Sequence, residues 1–302
     1  MKTMNLTRFS DGYNNPTSRI YEKEFKELLA AVFGVKGYFA DLFSGGLEAI
    51  DGVRESENAF YVKTSNIPVS IQEYDTDENV AFGSGTDNSN RFGPRTQVVY
   101  TDIPVPYTWK WAIHEGIDRH TVNNDFDVAV ADRLDLQAQA KINQFNHKQG
   151  EFIDANATNI ETAAQITKEN VGDVFNKINK ALVNAGAVGT KIAKVTPDVY
   201  AAIVDSGLAT TAKNSDVDIK EGTVLKFKGF EIEEIPEDLF GTNEVIFAYI
   251  AGIAKAFTGI NTVRTIESEA FDGVALQGSG KAGEYIPEAN AKALYKVTVT
   301  GA

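Results

Sequence analysis

An α+β fold with a protruding two-stranded arm and one long helix is predicted by three stretches of the sequence. From Gln72 to Gln97 (QEYDTDENVAFGSGTDNSNRFGPRTQ), about 26 residues carry only scattered apolar side chains, and a loop of that length inside a compact domain is usually functional or disordered. Strand-like runs flank it, Ala59 to Ile71 and Val98 to Ala112. In the second, Ile103, Val105, Tyr107, Trp109 and Trp111 alternate with Asp102, Pro104, Pro106, Thr108 and Lys110, the period of a strand with one buried face. From Asn123–Asp125 to about Asp154, Phe126, Val130, Leu134, Ala138, Ile142, Phe145 and Phe152 recur at three, four or seven residues, the stripe of a helix.

The elements follow in chain order. The first residues are polar, without a helical pattern, and are expected to be held by a neighbouring copy. Thr17 and Ser18 cap a predicted helix to about Phe33, with Tyr21, Phe25, Leu28, Leu29 and Val32 as its apolar stripe, ended by Gly34 and Gly37. Tyr38 to Gly52 reads as an apolar, glycine-bearing connector. In the arm, Pro104 and Pro106 cannot donate to a ladder, so this run belongs at an edge or in an isolated ribbon. A two-stranded ribbon is marginal alone in water, which predicts that it lies on another subunit.

The long helix covers about 30 residues and about 45 Å at 1.5 Å per residue. Its stripe is narrow and its flanks are polar (Asp127, Asp132, Arg133, Gln137, Gln139, Lys141), which predicts one face on a sheet and the rest in water. A further helix follows a cap at Thr167, buries Val171, Val174, Phe175, Ile178, Ala181 and Leu182, and ends at Gly186 and Gly189. Lys191 to Val195 reads as a strand, and Pro197 opens a short helix that runs through Val204 and stops at Gly207. Asn214 to Gly222 reads as a surface loop, Thr223 to Ile235 as a hairpin turning at Lys228–Gly229, and Val245 to Ala251 as a buried strand. Val263, Phe271, Val274 and Leu276 mark further strand segments, and Tyr295, Val297 and Val299 alternate in a last strand.

Composition narrows the function. The chain has 302 residues, enough for one large or two modest domains, with 43% hydrophobic and 24% charged residues. It has no cysteine, which removes disulfides, thiolate metal sites and a cysteine nucleophile and fits a reducing cytoplasm. No run of about 18 apolar residues predicts a transmembrane helix, and the N-terminus has no signal-peptide core. A net charge of −13 argues against base-specific nucleic-acid binding, which calls for a basic face.

The motifs that carry chemistry elsewhere fail here. Gly278-Ser279-Gly280-Lys281-Ala282-Gly283 has the dinucleotide spacing, but Pro287 cuts short any helix after it, and Ala275 and Ala282 break the phosphate-loop pattern, so the segment reads as a flexible turn between strands. His114, His120 and His147 lack metal-ligand spacing. Asp75, Asp77 and Asn79 begin like a calcium loop, but Val80 stands where the turn needs glycine. No catalytic residue, metal or cofactor is assigned, and Glu231, Glu233 and Glu234 read as ordinary hairpin surface. The arm's charges are more informative: Glu73, Asp75, Asp77 and Glu78 on the outgoing side, Arg91 and Arg95 on the returning side. Opposite charges separated along a protruding ribbon are suited to steering it onto a complementary neighbour, so these six are the expected inter-subunit contacts.

The order of elements, together with KVTPDVYAAIVDSG (Lys194 to Gly207), KGFEIEEIPED (Lys228 to Asp238), VIFAYIAGIAKAFTGINTVRT (Val245 to Thr265) and a final strand from Lys292 to Thr300, resembles the major capsid proteins of tailed double-stranded DNA bacteriophages, the Hong Kong 97 type fold, with siphophages of Gram-positive hosts the nearest likeness. The likeness runs along essentially the whole chain and rests on order and lengths. It implies an N-terminal arm and helix over 1–52, an extended two-stranded arm over 53–112 and a peripheral domain with the spine helix over 113–185. An axial domain over 186–275 and a return to the peripheral domain over 276–302 follow. It also implies a structural shell subunit, not an enzyme, that self-assembles into hexamers and pentamers of an icosahedral head. Such a head would enclose double-stranded DNA without sequence-specific contact and without a membrane, located in the virion after assembly in the host cytoplasm. Relatives often carry a helical scaffolding segment ahead of the arm; none is visible here, which implies a separate scaffolding protein or none, with portal and decoration proteins as further partners. An encapsulin-like bacterial compartment shell is the alternative with the same fold. A small-molecule enzyme is disfavoured because no catalytic constellation survives.

Overall fold

A computed structural model describes residues 37–49, 58–65, 69–77, 80–81, 90–122, 126–162, 165–207, 216–218 and 223–300. The polar N-terminus and the helix predicted from Thr17 to Phe33 lie outside them. The chain divides into two units, Glu55–Pro106 and the remainder, Met1–Arg54 with Tyr107–Ala302. The described strands are β1 (Phe43–Ala49), β2 (Asn58–Ser65), β3 (Tyr100–Pro106), β4 (Trp109–Asp118), β5 (Thr158–Thr162), β6 (Lys191–Val195), β7 (Asp216–Asp218), β8 (Thr223–Phe227), β9 (Phe230–Glu234), β10 (Glu244–Ile250), β11 (Ala254–Glu267), β12 (Gly273–Tyr285) and β13 (Leu294–Val299). The α-helices are α1 (Phe126–Asn156), α2 (Val171–Asn184), α3 (Pro197–Asp205) and α4 (Glu288–Ala291).

The larger unit is built on two sheets. One has seven strands in the order β5-β13-β10-β6-β9-β8-β7, the other four in the order β1-β11-β12-β4. β10 reads EVIFAYI without polar alternation because both faces of its sheet are covered. On one face Ala193, Val195, Ile246, Ala248 and Val297 pack with Val174, Phe175, Ile178 and Leu182 of α2 and Val199 and Ile203 of α3. On the other, Ile192, Phe247, Tyr249 and Leu294 meet Phe39, Leu42, Phe43 and Ile153. The turn of the β8–β9 hairpin falls at Lys228 (φ 48°) and Gly229 (φ 91°), the left-handed pair that matches strand twist.

The 31-residue α1 anchors both sheets. Its Val130, Leu134 and Ala138 pack on Trp111, Val263, Val274 and Leu276 of the four-stranded sheet, while Ile153 joins the core under the seven-stranded one. Arg133 and Gln137 of the helix donate to the Glu115 carboxylate of β4, and the Arg133 guanidinium holds that carboxyl below its usual range.

Several expectations are corrected by main-chain pairing. Tyr38 to Gly52 contains a strand, β1, parallel to β11 with Leu47 opposite Ala256. The polar TNIET of β5 pairs parallel to β13, and β7 falls inside the stretch read as a loop. The last helix before β6 starts at Val171 with Asn170 at its cap, not at Thr167. The return run of the arm is not one strand: the pattern breaks at Tyr107–Thr108, where Thr108 N–H donates to Ala282 O at 3.0 Å, and β4 continues in the four-stranded sheet. Residues 107–112, expected in the arm, therefore belong to the larger unit. β12 runs across residue 276 and pairs with β11 on one side and β4 on the other, whereas β13 lies between β5 and β10.

The glycine-rich segment is not a turn. Gly278 to Gly283 lies within β12, paired on one side with β11 and on the other with β4. A Cβ at Gly280 would stand 2.4 Å from Trp111 Nε1, and one at Gly283 2.7 Å from Phe257 Cζ, so these glycines make room for aromatic rings.

Lys141 departs from the expectation of a wet helix flank. It is 6% exposed, with Nζ 3.6 Å from the centroid of the Trp111 ring and donating to Asn261 Oδ1 at 2.9 Å. Burial pushes its pKa down from 10.5 to about 7. Between these two values the unfolded chain holds a proton that the folded protein has released, so stability rises with pH in that window, at a limiting slope of about 1.4 kcal/mol per unit. Lys141→Met is expected to flatten this rise, read as the difference in urea-unfolding free energy between pH 7 and pH 9. Equal pH slopes in the two proteins would contradict the assignment.

Candidate functional site in the two-stranded arm

The unit Glu55–Pro106 is organised by the antiparallel β2–β3 pair, with Phe60 opposite Val105, Val62 opposite Ile103, and Lys63 opposite Asp102. The opposite charges of the last pair support the register. Pro104 and Pro106 are accommodated because the ribbon has only two strands. The described ladder covers Asn58–Ser65, and residues 69–71 of the expected Ala59 to Ile71 run are not strand, yet the two sides stay joined. Gln72 Nε2 donates to Pro94 O at 3.0 Å, Asp75 N–H to Arg91 O at 3.0 Å, and the Tyr74 and Phe92 rings meet edge to face at 5.2 Å.

The six residues picked from the sequence are distributed along this ribbon. Glu73, Asp75 and Asp77 are exposed on the outgoing side and Arg95 is exposed on the returning side. Glu78 lies outside the described residues. Arg91 is half-buried and donates from Nε to Val80 O at 3.2 Å, so it has a local role in closing the ribbon end. The Asp75 carboxylate accepts the Asp77 N–H at 2.9 Å, and Asn90 Oδ1 accepts the Phe92 N–H at 2.9 Å, turns that these side chains make with their own backbone.

Apolar side chains of the arm were not singled out by sequence reasoning. Val69 (92%), Ile71 (93%), Phe92 (76%) and Tyr100 (69%) are solvent-exposed. Val69, Ile71 and Tyr100 fall in the strand-like runs and Phe92 in the polar loop, so none was set apart; the signal that could have found them is their position in or beside a segment too polar to cover them.

Elsewhere the ionisable groups tie the framework together. The Lys194 ammonium of β6 binds Asp41 at 2.7 Å and also Glu233, and Tyr249 OH donates to Asp41 Oδ1 at 2.7 Å. The Lys296 ammonium of β13 bridges Asp154 of α1 and Glu244 of β10. Burial pushes the Glu244 carboxyl up, reinforced by its hydrogen bond with Asp154. Glu284, also pushed up by burial, accepts from Trp109 Nε1 and Thr108 Oγ1, each at 3.1 Å. Among the described residues no three His, Asp or Glu side chains converge as metal ligands, and no helix is long and apolar enough to cross a membrane.

No family model and no curated protein matches this sequence. Solved structures do. The capsid structure of the cyanophage P-SCSP1u is similar with a TM-score of 0.65 at 11% identity, covering 88% of this chain and 89% of that one. The bacteriophage PhiM1 mature capsid gives 0.61 at 13% identity over 88% of both chains. A chain from Mycobacterium phage Che8 gives 0.59 at 15% identity, over 78% of this chain and 83% of that one. The fold is the α+β Hong Kong 97 type capsid fold.

Proposed function

We propose that this chain is the major capsid protein of a tailed bacteriophage, a structural subunit forming hexamers and pentamers of an icosahedral head around double-stranded DNA. The observation that carries this beyond fold is the arm: a two-stranded ribbon forming a unit of its own, with Val69, Ile71, Phe92 and Tyr100 exposed. Such a ribbon is marginal in water, and arms laid on neighbours bury large area without one compact interface. Glu73, Asp75, Asp77, Glu78, Arg91 and Arg95 are the proposed contacts in that exchange. A net charge of −13 suits a shell that does not hold packaged DNA tightly. The partners are other copies of the chain, with scaffolding, portal and decoration proteins added around them, and the role is structural rather than enzymatic. Electron microscopy and sedimentation of the purified protein at raised concentration are expected to show closed shells. A protein that stays monomeric under all assembly conditions would overturn the reading, and shells from infected cells that hold cargo enzymes instead of DNA would move it to a compartment protein.

A further inference from the structure

Tyr107, Thr108 and Trp109 carry the chain from the end of β3 at Pro106 into β4 of the larger unit. Each is held in a different way, and stability is given up at each hold. The Tyr107 ring meets Phe257 edge to face at 5.7 Å, in space left by Gly259, where a Cβ would stand 2.7 Å from the Tyr107 Cζ and hydroxyl oxygen. That hydroxyl is buried without a hydrogen-bond partner among the described residues, a cost because the bond to water is lost and not replaced. Thr108 N–H donates to Ala282 O at 3.0 Å, and a Cβ at Gly283 would stand 3.2 Å from the Thr108 nitrogen. Thr108 Oγ1 and Trp109 Nε1 both donate to the Glu284 carboxylate, each at 3.1 Å, and the Trp109 ring packs edge to face on Phe145 of α1 at 4.6 Å. Glu284 is buried, and that burial is the main reason its carboxyl is pushed up. Among the described residues no cation pairs with it: Lys148 of α1 favours its charge only from a distance, and that ammonium binds Glu151 at 2.6 Å. An apolar side chain of the same size would spare the fold a buried charge. Thr108 is exposed and Trp109 half-buried, so water could serve both donors in its place.

Resting on the shell reading, we propose that Glu284 is a positioning residue for assembly, which pins Thr108 and Trp109 so that the chain leaves the arm through one fixed conformation. What water cannot supply is geometry: the two carboxylate oxygens accept from adjacent residues, Oε2 from Thr108 and Oε1 from Trp109, and so fix both side chains and the peptide between them. A ribbon that meets a neighbour gains affinity when its root is ordered beforehand, because that entropy is then lost on folding and not on assembly. The unpaired Tyr107 hydroxyl and the missing side chains at Gly259 and Gly283 fit the same reading, since groups held at a cost to stability gather where conformation matters to function.

Two substitutions at one position test this. Glu284→Leu is expected to keep cooperative melting and to raise the concentration at which shells form by about ten-fold, the weight of one hydrogen bond to a charged group. Glu284→Gln is expected to assemble like the parent, because its amide oxygen can accept from Trp109 Nε1 while its amide N–H donates to Thr108 Oγ1. In the unassembled subunit, chymotryptic cleavage after Tyr107 and Trp109 is expected to speed up several-fold in Glu284→Leu and to stay at the parental rate in Glu284→Gln. Where Glu284→Leu does not fold, Thr108→Val, at an exposed position, takes its place and is expected to move both readouts the same way by a smaller factor. Glu284→Leu assembling at the parental concentration, or Glu284→Gln failing along with it, overturns the positioning role while parental shells leave the shell reading standing. A parent that forms no shells fails that reading itself. Equal cleavage of the parent and Glu284→Leu overturns the anchor whether or not shells form.

Discussion

Replacing Asp41 by alanine is expected to cost about 3–5 kcal/mol of stability, read as a lower denaturant midpoint with an unchanged slope. Lys194 is 1% exposed on β6, in the centre of the seven-stranded sheet, and its ammonium has two carboxylate partners, Asp41 and Glu233. Only Asp41 reaches it from the turn that leads into β1. The same carboxylate accepts the hydroxyl of Tyr249, a residue with no solvent exposure whose phenol is held well above its usual pKa by burial first and by Asp41 second. Removing Asp41 therefore strips one partner from a buried charge and orphans a buried hydroxyl at once. The turn is also tied by its backbone, with Gly252 N–H donating to Asp41 O at 2.9 Å, so the loss spreads from the side chain to the junction of the two sheets. Asp41→Ala/Lys194→Met is expected to recover most of the loss, because a missing ion pair costs less than half of one, and Tyr249→Phe in that background should recover more. A single variant as stable as the parent would show that Glu233 and water suffice for Lys194.

What could be read from the sequence follows where the physics is local. β6, β10 and the hairpin at Lys228–Gly229 were legible because burial on both faces writes a continuous apolar run and a left-handed turn calls for glycine. The long helix was legible from its stripe, but not the burial of Lys141, which depends on Trp111 of another element lying beneath it. β1 and β5 were hidden because parallel pairing is done by main-chain groups of β11 and β13, and FSGGLEA and TNIET carry little side-chain pattern of their own. Gly280 was misread as a turn residue for the same reason: its need for no side chain comes from a ring far away in the sequence. In the arm, the exposure of Glu73, Asp75, Asp77 and Arg95 was legible from polarity, whereas the bond of Arg91 to the Val80 carbonyl depends on how the ribbon end closes.

Deleting Asp75 to Arg95 and closing the gap with a short turn is expected to leave a cooperatively folding protein that no longer assembles. Three of the hydrogen bonds that the deletion removes close within the arm: Asp75 N–H to Arg91 O, Arg91 Nε to Val80 O, and Phe92 N–H to Asn90 Oδ1. The β2–β3 ladder from Asn58 to Pro106 is kept, and neither large sheet loses a strand. Shortening the connection lowers the entropy of closing it, by about 0.6 kcal/mol for each halving, which offsets part of what is lost. The melting midpoint should move by no more than a few degrees. Assembly should respond very differently, because the deletion takes away the exposed Phe92 and the carboxylates of Asp75 and Asp77 together, and an interface built from arms has little else to replace them. Sedimentation would then show only small species at concentrations where the parent forms shells. Global unfolding of the variant would mean that the arm belongs to the core, and normal shells would remove it from the assembly mechanism; these outcomes separate what the ribbon does for its own chain from what it does for a neighbour.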